Sequence, residues 1–102
     1  MQVIAKLVDM MQDELEGAEN YAMCALKYKT EHPKLAQRLN ELASVEMQHL
    51  KILHNEAERL IEEYRAKDGE PPAAMLAVYN FEHEKMIKAA AKVKSYISEF
   101  DA

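Results

Sequence analysis

Glu46 and His49 form a Glu-x-x-His pair, and Glu14 stands on the preceding segment. On a helix, residues three apart share a face and differ by about 4.5 Å in height. Two carboxylates and an imidazole converging from facing helices are donors that iron and manganese both accept. All three residues interrupt otherwise apolar stripes. Ionisable groups at such positions are expensive unless something compensates. In helical bundles, a Glu together with a Glu-x-x-His is usually compensated by a pair of iron or manganese ions.

The elements that must position them are helices. The chain has 102 residues, 49% apolar and 30% charged, with only two Gly and three Pro. That is enough for one domain, residues 1–102, with one core and little loop. Ala, Leu, Met, Glu, Lys and Gln dominate and favour helix. No stretch alternates as a strand would. The class is therefore all-α. Breaks at Thr30–Pro33 and Lys67–Pro72 divide the chain into helices over about 3–29, 33–66 and 73–100. Pro33 suits a first helical turn and Gly69 a C-terminal cap. Short connections make neighbouring helices antiparallel.

Each helix carries a stripe spaced by threes and fours. The first contains Ile4, Leu7, Met11, Glu14, Ala18 and Tyr21. The second contains Leu39, Leu42, Glu46, His49, Leu53 and Glu56. The third contains Tyr79, His83, Met86, Ala90 and Val93. Pivoting the first hairpin near Glu31 sets Glu14 across from position 48, between Glu46 and His49. Pivoting the second near Gly69 sets Ala89–Ala91 at the height of the site, so the third helix adds no ligand there. The same pivot brings His83 level with Glu56, a candidate secondary polar or metal cluster. At Glu56, Ala57 competes for the core place, as Glu82 does at His83.

One chain supplies two Glu and one His. A bundle di-metal centre takes four Glu and two His. A twofold dimer doubles the set to that count, with a ligand charge of −4 against two divalent ions. The expectation is a site assembled by a homodimer or a higher even oligomer.

The segment Asp13–Arg59 resembles the first half of a ferritin-like protein of the rubrerythrin type. The family pattern is a Glu on the first helix, a Tyr seven residues later and a Glu-x-x-His on the second. Here these are Glu14, Tyr21, Glu46 and His49. The chain is similar to the short encapsulated ferritins, which hold half a site per chain and complete it by association. The resemblance implies a ferritin-like bundle completed by homodimerisation. It also implies di-iron oxidoreductase or ferroxidase chemistry, the oxidation of Fe(II) by oxygen or peroxide, with two Fe per dimer and Mn as the other metal that suits the donors. In that reading Glu14 and Glu46 ligate or bridge the metals and His49 caps them. Tyr21 hydrogen-bonds a ligand carboxylate or supplies an electron. The chain departs from full-length relatives in lacking a second Glu-x-x-His and rubredoxin-type cysteine pairs, and Ser95–Ala102 is unlike an encapsulin-targeting peptide.

Other residues carry smaller expectations. Gly17, one turn after Glu14, suggests a close helix approach or a π-bulge. Cys24 reads as a small packed residue, His54 as a boundary residue and His32 as part of the turn. Glu16 and Glu19 read as a solvated face. Net charge is −5 with no basic block, which argues against nucleic acid as a partner. A single cysteine excludes an intrachain disulfide and is simplest in a reducing cytoplasm. Met1–Asp9 carries Lys6 and Asp9 and reads as neither signal peptide nor membrane span. The competing reading, from a different class, is a metal-free helical oligomerisation or interaction module of phage-derived kind, whose stripes only drive assembly.

Overall fold

A computed structural model describes residues 2–102. It contains three helices, α1 Gln2–Tyr28, α2 Pro33–Asp68 and α3 Ala73–Asp101. The molecule measures 55 × 20 × 18 Å. That length is one helix long: the 36 residues of α2 rise about 54 Å. No helix among the described residues is long and apolar enough to cross a membrane.

The breaks have local causes. Pro33 sits in the first turn of α2, where its missing N–H costs nothing. Its N-cap, His32, makes no side-chain cap and instead packs edge-on against Tyr28 at 5.9 Å. At the other end Gly69 adopts φ +82°, and its N–H donates to the Arg65 carbonyl at 3.2 Å. A side chain would strain that backbone, so glycine ends the helix. Arg65 and Lys67 in the last turn complement the helix dipole. Arg59 bridges Glu56 and Glu63 along the outer, solvent-exposed face of α2, where water screens the pairs.

α1 and α2 form a long antiparallel hairpin. Alanines line its seam: Ala18, Ala22, Ala25, Ala36, Ala43 and Ala57 are all essentially inaccessible. Small side chains let the two backbones approach closely. α3 lies along α1 and touches α2 only lightly. It inserts Tyr79, Met86 and Val93, spaced by sevens, against Ile4, Met11 and Leu15. Gln12 donates to Glu82 at 2.6 Å and Lys92 to Glu19 at 3.0 Å, tying α3 to α1.

This arrangement turns α1 and α2 relative to the stripes read from sequence. Val8, Leu15 and Ala22 take core places on α1, leaving Leu7, Glu14 and Tyr21 at its edge. On α2, Ala57 is buried while Glu56 is not. No charged residue is buried among the described residues. Glu14, Glu46 and His49 are therefore not core groups of the single chain. The reason is that α3 covers only one side of the hairpin, and these residues lie on the other.

Tyr79 anchors α3 to α2 by donating to Glu58 at 2.8 Å. Burial, aided by the Glu58 carboxylate, holds the phenol well above its ordinary range, so it remains a donor. A Tyr79→Phe variant should lose about 1 kcal/mol in denaturant unfolding, with an unchanged helical spectrum.

Candidate metal centre

Glu14 comes from the middle of α1, and Glu46 and His49 from the middle of α2. Their heights match because the hairpin pivots between Glu31 and His32, half a residue from the expected point. His49 Nδ1 lies 3.3 Å from a Glu14 oxygen and 3.6 Å from a Glu46 oxygen. One donor atom from each residue lies within 4.8 Å of the other two. Two ligands of one ion, at bonds of about 2.1 Å, stand at most about 4.2 Å apart. The residues therefore fit a small hard or borderline cation after little movement of the carboxylates. Two oxygens and one nitrogen suit iron, manganese or zinc.

Gly17 faces the Glu46 carboxylate. A Cβ there would stand 3.5 Å from it, an ordinary van der Waals contact, so the space does not demand glycine. α1 is regular α-helix through this point, so the expected π-bulge is not formed.

The two carboxylates shift each other in opposite directions. The hydrogen bond between them pulls Glu14 below the ordinary range, against a smaller opposing effect of burial and with help from His49. The same bond raises Glu46, with burial and the Glu14 charge adding to it and His49 opposing. Of the two, Glu46 is therefore the one that holds its proton to higher pH. A group with a raised folded pKa contributes stability at low pH and loses it as pH rises through that pKa. The metal-free protein should therefore lose stability as pH climbs past the ordinary Glu value of 4.5 and through the higher Glu46 value. Urea unfolding across that window should show the decline in wild type and not in Glu46→Gln. The lowered Glu14 works the other way, its contribution fading as pH falls below the ordinary value.

The site is open. The side chains of Glu46, Glu14 and His49 retain 22%, 28% and 47% of their accessible surface. Three ligands leave room in the coordination shell of any ion. Apolar residues bracket the opening. Met10 is one turn before Glu14 and Leu42 one turn before Glu46, each on its ligand's face. Val3 and Leu35 extend these rows by a further seven residues. All four are large apolar side chains at least 40% exposed. Sequence reading counted Leu42 and Leu35 as core and passed over Val3 and Met10. Their threes-and-fours spacing from the ligand glutamates was the available signal.

The remaining expected residues lie elsewhere. Tyr21 is half-buried against the core and makes no hydrogen bond to Glu14 or Glu46. The expected pairing of Glu56 with His83 is not formed. Glu56 accepts from Arg59 at 2.7 Å, while His83 stacks on His54 at 4.7 Å. Tyr79 opposite Glu58 and His83 opposite His54 centre the second hairpin within half a residue of Gly69, so the heights are as expected. The rotation of α2 differs: it presents His54 rather than Glu56, two residues and about 200° away, to α3. Cys24 is exposed rather than packed. Glu19 pairs with Lys92 instead of facing solvent alone.

Comparison of the chain with family models, with curated proteins and with solved structures found no match.

Proposed function

We propose that the protein is a ferritin-like di-iron protein whose metal centre is shared by two copies of the chain, with Mn as an alternative metal, and that it oxidises Fe(II). The observation carrying this reading is the convergence of Glu14, Glu46 and His49 on the one face of the hairpin that α3 leaves uncovered. Exposed Met10 and Leu42 beside them support a second copy as the missing cover. Two copies pool four Glu and two His, the complement of a bundle di-metal centre.

Within such a pair the residues have distinct roles. Glu14, already ionised, attracts the cation. A cation competes with the proton that Glu46 holds to higher pH, so binding weakens in acid. His49 turns Nδ1 toward both carboxylates and supplies the nitrogen of the set. Contact with the second copy removes water from the carboxylates and strengthens their hold. The bound metal pair would supply one-electron redox chemistry toward oxygen or peroxide. Tyr21, on the same face two turns away, is the nearest phenol along α1 for electron supply.

The test is metal content after anaerobic Fe(II) loading, on protein sized by light scattering. About one iron per chain in a dimer or larger even assembly supports the reading. Metal bound by a monomer, or none at all, overturns it. Oxygen uptake on Fe(II) addition then separates turnover from mere metal buffering. The exposed apolar rows also favour a second reading, a metal-free oligomerisation module. It requires an assembly that forms equally well with metal removed and with Glu46→Ala in place.

A further inference from the structure

Because α3 follows α1 and only grazes α2, a cleft of about 410 Å³ opens between α2 and α3. That volume lies within the range of small-ligand sites. It is separate from the metal centre: Met47 and Leu50, which line it, directly follow Glu46 and His49 and point about 100° further around α2. We propose that this cleft binds a small amphipathic carboxylic acid, an apolar chain or ring with one anionic head.

The lining defines the chemistry. Met11, Met47 and Met86 supply its apolar surface, one from each helix. Unbranched thioethers adapt to varied shapes and accept apolar ligands readily. Ala90 is the smallest residue there and keeps the space open. His54 and His83 form a wall of stacked rings, 4.7 Å apart and 23° from parallel, and Tyr79 continues the stack at 5.9 Å. Rings stacked in this way do not aim their nitrogens at one point, which argues against a metal ion. They do offer flat apolar faces and ring N–H donors.

Charge selects the head group. The chain has 18 acidic residues, yet none lines this cleft. Its only full charges are Lys51 from α2 and Lys94 from α3. Neither has a carboxylate within 4 Å among the described residues, so both are free to meet an anion. Two unpartnered cations flanking an apolar trough match a carboxylate on an apolar body. A cationic amphiphile has no partner there. A helix from a second copy would have to cover both lysines, at the cost of desolvating them.

The test is calorimetric titration of the metal-free full chain with decanoate, decanol and decyltrimethylammonium. Decanoate should bind saturably, one per chain, at least about tenfold tighter than the cation. The exposed lysines permit a variant that leaves the core alone, Lys51→Met with Lys94→Met. It should lose about tenfold in decanoate affinity and keep its decanol affinity. Ala90→Phe, checked for retained helicity, should abolish binding of both. Glu46→Ala should bind decanoate as wild type does, so failure of the metal reading leaves this result standing. No saturable decanoate binding, equal affinity for the cation, or indifference to the lysine substitutions would overturn the proposal.

Discussion

A Glu46→Ala variant is expected to bind no iron and to unfold, in its metal-free form, no earlier than wild type. The two halves of this result have one cause. Glu46 is one of three candidate donors that all lie within 4.8 Å of one another, and its loss leaves one carboxylate and one imidazole per chain. Without metal, however, Glu46 and Glu14 repel whenever both are ionised, a repulsion that adds to the hydrogen bond to Glu14 and the burial that raise Glu46. Removing the side chain relieves that repulsion. A ligand held only by the folded state at a hundred times its dissociation constant stabilises by about 2.7 kcal/mol. For a domain of this size that is a rise in Tm of about 10 °C or more. Thermal unfolding with and without Mn(II), which avoids redox turnover, reads both quantities. Wild type should show the shift and Glu46→Ala should not. An equal shift in the two proteins would mean that the metal binds elsewhere.

The second large effect should come from side chains that touch no metal. Met10→Glu combined with Leu42→Glu is expected to yield a folded monomer that has lost the iron stoichiometry of the wild type. Both residues are exposed in the single chain, so neither change removes core packing, and each alone should alter monomer stability by less than about 0.5 kcal/mol. In a face-to-face pair the same positions lie against the partner. Four added carboxylates per dimer would then be desolvated close to the ligand glutamates. Light scattering and metal analysis on one sample distinguish the outcomes. A variant that remains dimeric would place the dimer contact on another face. A monomer that still binds one iron per chain would make the site complete without a partner.

The meeting of Glu14, Glu46 and His49 was legible in the sequence because it depends on two short-range quantities. One is the threes-and-fours spacing within each helix. The other is the pivot of a tight turn, fixed by Thr30–Pro33. An error of half a residue in that pivot leaves Glu14 facing His49. The second pivot was displaced by as little, since His83 opposite His54 and Tyr79 opposite Glu58 centre it within half a residue of Gly69. What differed was the rotation of α2, and because a helix turns 100° per residue, the side chain facing His83 changed from Glu56 to His54. Glu56 then found Arg59 on its own helix.

From the sequence alone follow the all-α class, the three helices with their Pro and Gly boundaries, and the meeting of Glu14, Glu46 and His49. These rest on local propensity and helical period, which each segment carries within itself. The tertiary structure decided which side of the hairpin α3 covers. The apolar faces of α1 and α2 are wider than one neighbour can bury, so several rotations satisfy the pattern equally well. Packing chose the alanine seam and the side bearing Val8 and Leu15. That choice left the ligands half-exposed beside Met10 and Leu42, and it opened the cleft between α2 and α3.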